Sequence, residues 1–116
     1  MGRMAGLDIL LLTTTGRKSG KERTTPLGYF EQDGDYVIIA SNGGADTHPK
    51  WFLNLKSDPA VHIEIKGKKI SAKARVAEGS ARKELWAKLV NLSPQYGKYA
   101  TSTKREIPVV LLHPSD

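Results

Sequence analysis

The chain has 116 residues, of which 39% are apolar, and its 18 Lys and Arg outweigh 12 Asp and Glu to give a formal net charge of +6. That length suits one domain spanning residues 1–116 with a single core, and the composition excludes intrinsic disorder. The absence of Cys excludes a disulfide framework, thiolate catalysis and a sulfur-ligated metal, while the positive balance suits an anionic partner: nucleic acid, a membrane surface, or a small molecule bearing phosphate and carboxylates.

Residues 7–14 are apolar and β-branched and predict a strand. A turn over Gly16-Arg17-Lys18-Ser19-Gly20 leads to a second strand over 23–30. Asp33-Gly34 predicts a tight hairpin into a third strand over 36–40, because the second turn residue needs positive φ. Pro49 opens a short helix that ends before Pro59, and its Trp51 and Phe52 read as core residues. Val61, Ile63 and Ile65 alternate with His62, Glu64 and Lys66, and Ile70, Ala72, Ala74 and Val76 alternate with Ser71, Lys73 and Arg75. That pattern predicts a hairpin with one buried and one charged face. Ser80 is placed to cap a helix carrying Leu85, Trp86, Leu89 and Val90, which Pro94 stops. Pro108 to Leu112 predicts a last strand at a barrel edge, since Pro cannot donate to a central ladder. Apolar runs such as Ile9 to Leu12 and Val109 to Leu112 are too short for a membrane span or a signal-peptide core, and Gly6 stands where a myristoylation signal needs Ser or Thr, so a soluble chain is expected. Hairpins without βαβ alternation predict a mainly β (α+β) fold: a small antiparallel barrel of about six strands with two or three helices.

Between Thr13 and Tyr29, Arg17, Lys18, Lys21 and Arg23 face only Glu22. The glycines permit a tight turn that aims backbone N–H groups at an anion, and Arg23 offers a bidentate contact; the spacing of a P-loop is absent. The alternative reading is a solvated basic hairpin loop. Ala40-Ser41-Asn42-Gly43-Gly44 follows a strand and runs through His48-Pro49 into a helix start. It reads either as a place where backbone approaches a flat or anionic ligand or as a plain turn. The three His lack metal-ligand spacing, and no nucleophile elbow or carboxylate pair is present, so any hard chemistry is assigned to a bound cofactor. Tyr96 and Tyr99 either wall a pocket and offer a phenolic proton or pack as amphipathic surface.

Thr13-Thr14-Thr15-Gly16-Arg17-Lys18-Ser19-Gly20, Arg23 with Pro26-Leu27, Ala40-Ser41-Asn42-Gly43-Gly44, His48-Pro49 with Trp51 and Leu53-Asn54-Leu55, and Ile107-Pro108-Val109 together resemble the deazaflavin-dependent nitroreductase family. The resemblance covers nearly the whole chain. It implies a split β-barrel related to the flavin-binding barrels of pyridoxamine-phosphate oxidases, with reduced coenzyme F420, whose tail carries a phosphodiester and several glutamates, as hydride donor. It further implies that Arg17, Lys18, Ser19, Arg23, Thr24, Thr25, Pro26, Leu27 and Gly28 line the phosphate, tail and ring edge, and that Ser41, Asn42, Gly43 and Gly44 sit against the deazaflavin. His48, Pro49, Lys50, Trp51 and Phe52 would bring the helix start to the ribityl and phosphate portion. Tyr96 and Tyr99 would close the substrate side, with Ser41 or Tyr96 bonded to the acceptor oxygen.

The expected activity is hydride transfer to an electron-poor acceptor such as a quinone, a nitroaromatic or nitroimidazole, or an activated enone or lactone, in a cytoplasmic enzyme that forms a homodimer. Many relatives carry a longer N-terminal helix than Met1 to Gly6 supplies, so peripheral membrane association is expected of a longer form only. Gly28 leaves the ring-facing strand without a bulky side chain, and a wider acceptor pocket is expected. The rival readings are an FMN-dependent oxidoreductase of the same barrel superfamily and a basic β-barrel for single-stranded nucleic acid. The second needs stacking aromatics along a groove, and aromatic residues are 7% of the chain.

Overall fold

The computed structural model describes residues 3–4 and 6–115. Strands β1 (Arg3–Met4), β2 (Leu7–Thr15), β3 (Glu22–Gln32) and β4 (Asp35–Ile39) form an antiparallel meander. A 3-10 turn (Asn42–Gly44) and helix α1 (Lys50–Ser57) lead to the hairpin β5 (Ala60–Ile65) and β6 (Lys68–Val76). Helices α2 (Gly79–Leu92) and α3 (Gln95–Ser102) precede β7 (Val109–Pro114).

The strand order is β1-β2-β3-β4-β7-β6-β5, and β5 pairs back onto β2, which closes six antiparallel strands into a barrel. The closing seam is short: Leu11 to Thr13 pair with His62 to Glu64, whereas β2 and β3 pair from Asp8 to Thr15. Asp33 and Gly34 both adopt positive φ, 52° and 84°, and Gln32 pairs with Asp35 across them. This two-residue loop matches the twist of the strands it joins, as the Asp-Gly pair predicts.

Two expectations need correction. β7 is not an edge strand, because Val110 pairs with Ile38 on one side and with Val76 on the other. Pro108 does not break this ladder because it stands just ahead of it, contributing only a carbonyl that accepts the Ala40 N–H at 3.0 Å. Nor does Ser80 cap α2. The Ala77 N–H is pinned to the Val109 carbonyl at 2.8 Å, so the chain leaves β6 early and the first helical bond runs from the Arg82 N–H to the Glu78 carbonyl. Ser80 is thereby the second helical residue and exposed.

Two apolar clusters share the wall between β4 and β7. Inside the barrel, Leu10, Leu12, Ile38, Ile63, Ala72, Val110 and Leu112 pack with Trp51, Phe52 and Leu55 of α1, which plugs the barrel interior. Outside, Val37, Ile39, Val109 and Leu111 are covered by Leu85 and Leu89 of α2 and Tyr96 of α3. A strand buried on both faces must read as a continuous apolar run, which is why Val109 to Leu112 lacks the alternation seen in β5 and β6. Among the described residues, no helix is long and apolar enough to cross a membrane.

Candidate functional site

The loop between β2 and β3 is rigidified by its own backbone. The Gly16 N–H donates to the Lys21 carbonyl at 2.7 Å, the Gly20 N–H to the Gly16 carbonyl at 2.8 Å, and the Lys21 N–H to the Ser19 hydroxyl at 3.1 Å. Its footing is Asn54 of α1, a buried side chain whose Oδ1 accepts both the Arg17 N–H (3.2 Å) and Arg17 Nη1 (3.1 Å) while its Nδ2 donates to the buried Thr14 hydroxyl (3.2 Å). The N–H groups of Lys18 and Ser19 have no bonding partner among the described residues.

This loop forms one side of a trough of about 840 Å³, lined by Gly16 to Ser19, Glu22 to Thr25, and Lys50, Trp51 and Asn54 of α1. Among the described residues, no carboxylate lies within ion-pair distance of Arg17, Lys18, Arg23 or Lys50. The N-terminal end of α1 opens here, and its Lys50 and Trp51 N–H groups are likewise unpaired. Exposed cations, free N–H groups and the positive end of a helix make a strong anion site together.

The trough meets a smaller recess, about 270 Å³, along Thr25 and Trp51, which line both. The recess walls are mostly apolar, from Leu27, Gly28, Ile39, Pro49 and Tyr96, with Ser41, Asn42 and Gly43 at one side. Neither the Ser41 nor the Tyr96 hydroxyl has a partner among the described residues. Tyr96 is 5% exposed and packs edge-on against Tyr99. Burial first, and the neighbouring Tyr99 second, push its phenol above the ordinary value of 10.0, so it stays protonated and able to donate at neutral pH.

The turn that carries Ser41 is held from behind by Arg105, which lies between α3 and β7. Its guanidinium donates to the carbonyls of Ala40 (3.1 Å), Ser41 (2.9 Å) and Ala45 (2.9 Å) and to His48 Nδ1 (3.0 Å). Because Arg can only donate, this contact fixes His48 as the neutral tautomer with its proton on Nε2. Burial, then the charges of Arg105 and Lys56, hold His48 below its ordinary 6.5. Among the described residues, no three His, Asp or Glu are grouped to hold a metal ion.

Residues 1–114 match the F420H(2)-dependent quinone reductase family. The chain belongs to that family. The F420H(2)-dependent quinone reductase Rv1261c of Mycobacterium tuberculosis strain H37Rv is 41% identical over 106 residues, covering 89% of this chain and 71% of that protein. A solved structure of an F420-H2 dependent reductase, FDR-A, superposes with a TM-score of 0.82 at 42% identity, covering 90% of this chain and 93% of its own. A second, described as a domain-swapped dimer, gives 0.83 at 42% identity over 90% and 79% of the two chains. This F420H(2)-dependent quinone reductase relative is thus an oxidoreductase with coenzyme F420 as its cofactor.

Within this family member, the residues singled out from the sequence fall into three groups. Arg17, Lys18, Ser19, Arg23, Thr24, Thr25, Lys50 and Trp51 line the trough, and Thr25, Leu27, Gly28, Ser41, Asn42, Gly43, Pro49, Trp51 and Tyr96 line the recess. Pro26, Gly44, His48, Phe52 and Tyr99 lie on neither wall. Pro26 is exposed, Phe52 is in the barrel core, and His48 packs against Phe52 with ring centroids 4.9 Å apart and planes inclined by 50°. Gly44 is buried with φ of 86° against α3, where a Cβ would collide with the Ser102 hydroxyl and lie 3.4 Å from the Tyr99 ring. The two adjacent glycines therefore differ: Gly43 faces open space, and Gly44 admits a helix. Sequence reasoning gave no site role to Glu22, Ile39, Asn54 or Arg105. Asn54 carried a signal, being polar on a helix face otherwise made of Trp51, Phe52 and Leu55; Arg105, inside the polar stretch Thr103 to Glu106, carried none. The donors of the trough are cations and N–H groups with no acid partner, which is the chemistry that a phosphodiester and glutamate tail requires.

Proposed function

We propose that the trough holds the anionic tail of F420 and that the recess takes a quinone against the reactive face of the cofactor. The observation that carries this reading is the continuity of the two: a trough whose cations Arg17, Lys18, Arg23 and Lys50 form no ion pair among the described residues, with Glu22 as its one acidic lining residue, runs at Thr25 and Trp51 into an apolar recess with two unengaged hydroxyls. Arg17, Lys18, Arg23 and Lys50 would bind the phosphodiester and glutamates, with Asn54 keeping Arg17 in place. Reduced F420, when bound, supplies a hydride.

The chain's own residues supply position and protons. Thr25, Leu27, Gly28 and Trp51 shape a flat slot that excludes water from the acceptor, and the lack of a side chain at Gly28 leaves room for a two-ring quinone. Ser41 and Tyr96 donate to the acceptor oxygen, stabilising the negative charge that grows there as the acceptor gains the hydride. Uptake of one hydride and one proton converts the quinone to its hydroquinone. The same apolar recess suits a nitroaromatic or an activated lactone, which makes the relative rates a measure of selectivity. A homodimer belongs to the same proposal, supported by the domain-swapped dimer of the 42% identical relative.

The test is a fluorescence titration with F420, with FMN and a single-stranded oligonucleotide as parallel ligands, followed by oxidation of the reduced cofactor with menadione, a nitroimidazole and a butenolide. F420 should bind saturably. Combined Arg17→Ala, Lys18→Ala and Arg23→Ala should weaken it by about 100-fold or more, given charge-assisted bonds worth about 1.5–3 kcal/mol each. Tight FMN or oligonucleotide binding without F420 binding would overturn the cofactor site, and turnover confined to the nitro compound or the lactone would overturn the quinone.

A further inference from the structure

The two sides of the recess come from distant parts of the chain, Ser41 to Gly43 from the turn after β4 and Tyr96 from α3. What joins them is a clasp at the C-terminal end of α3. The Ser102 hydroxyl lies 3.2 Å from the Gly44 carbonyl, the Thr103 hydroxyl donates to Asp46 Oδ1 at 2.8 Å, and Arg105 spans the carbonyls of Ala40, Ser41 and Ala45 and reaches His48. Three carbonyls pointing at one guanidinium from a segment of six residues leave that segment little freedom. A Lys at this position has three donors on a single nitrogen and cannot span the three carbonyls and His48 together, as the planar fork of Arg does with donors on three nitrogens.

We infer that Arg105 is a positioning residue that sets the width of the recess, holding Ser41 at a fixed distance from Tyr96 without touching either reactant. The claim separates cleanly from cofactor binding. The 16–21 loop and Asn54 of α1, which carry Arg17 and Lys18, make no bond to Arg105, whose link toward the trough is His48, two residues before Lys50. Loosening the clasp therefore acts first on the acceptor side, by misplacing the Ser41 hydroxyl relative to the acceptor oxygen. The inference rests on the recess being the acceptor side, as proposed above.

The experiment compares the wild type with Arg105→Lys and Arg105→Ala in three measurements on the full chain: hydrogen–deuterium exchange, F420 titration, and menadione reduction by reduced F420. Exchange should accelerate in peptides covering 40–48 and stay unchanged in β2 and β7. F420 affinity should hold within about twofold while kcat/KM for menadione falls by about tenfold or more, the scale of a sub-ångström to ångström misplacement. Arg105→Lys should fall between the other two proteins in both readouts. Equal exchange at 40–48 in all three proteins would overturn the inference, as would exchange rising throughout the chain with F420 affinity and turnover falling in parallel, the mark of a merely structural role. The exchange arm needs no ligand, so it decides the positioning claim about the turn even if wild-type protein fails to bind F420, a result that would instead sink the cofactor site.

Discussion

Asn54 shows how one side chain connects packing to binding. Its amide serves Thr14, which is 1% exposed, and both the backbone and the guanidinium of Arg17. Asn54→Ala leaves the Thr14 hydroxyl buried and unpaired and should cost about 1–3 kcal/mol, read from urea unfolding, together with weaker F420 binding. Asn54→Asp separates the two roles. The Thr14 hydroxyl can turn to donate to the new carboxylate, so stability should be closer to wild type, yet the added negative charge should depress F420 affinity; an affinity equal to wild type would remove Asn54 from the anion site. His48 is a second case. Its folded form is held below the ordinary 6.5 and stays neutral, so the unfolded chain takes up the proton first as pH falls. The stability it contributes is complete above about pH 6.5 and is lost as pH drops through the lower folded value. His48→Asn keeps an acceptor for Arg105 without the titration, and the stability of the wild type minus that of this variant should decline between pH 7 and 5; a constant difference would refute the neutral assignment. Of these groups, Arg17 was legible because loop cations next to glycines carry their own signal. Asn54 and Arg105 act through partners about 40 and 60 residues away, which local patterning does not record.

At the level of elements, the turn after β4 and helix α3 are fitted to each other through Gly44. Alanine at Gly43 meets no atom within 4 Å and bears only the strain of its positive φ, about 1 kcal/mol. Alanine at Gly44 bears the same strain and also displaces the Ser102 hydroxyl, which would give up its bond to the Gly44 carbonyl, and crowds Tyr99. Gly44→Ala should thus lower the melting temperature more than Gly43→Ala, by about 1 kcal/mol or more in free energy at the midpoint. Equal losses would mean that α3 can withdraw from the turn without penalty. The strands themselves were legible because β5 and β6 keep one wet face and alternate, and because Asp33-Gly34 names its turn. The start of α2 and the place of β7 were not, since each depends on a bond from a remote strand: Ala77 to Val109 in one case, Ala40 to Pro108 in the other.

Across the whole molecule, the net charge of +6 is unevenly used. Asp35 takes up Arg75, at 4.0 Å, and Arg82 and Glu106 pair at 3.2 Å, away from the trough, whose cations keep no such partners among the described residues. Composition foretold an anionic partner but not the trough proposed to hold it, because that trough is made when α1 is carried beneath a loop some 35 residues before it. The position of β7 has a kinetic side as well. Ile39 and Val109 are paired across 70 residues of sequence, and until that pairing forms, β4 and β6 each present a bare edge with both apolar faces of the wall uncovered. Pairing at this sequence separation puts refolding on the millisecond-to-second scale typical of non-local β topologies, and leaves the incompletely folded chain, rather than the finished barrel, the species prone to stick to its own kind.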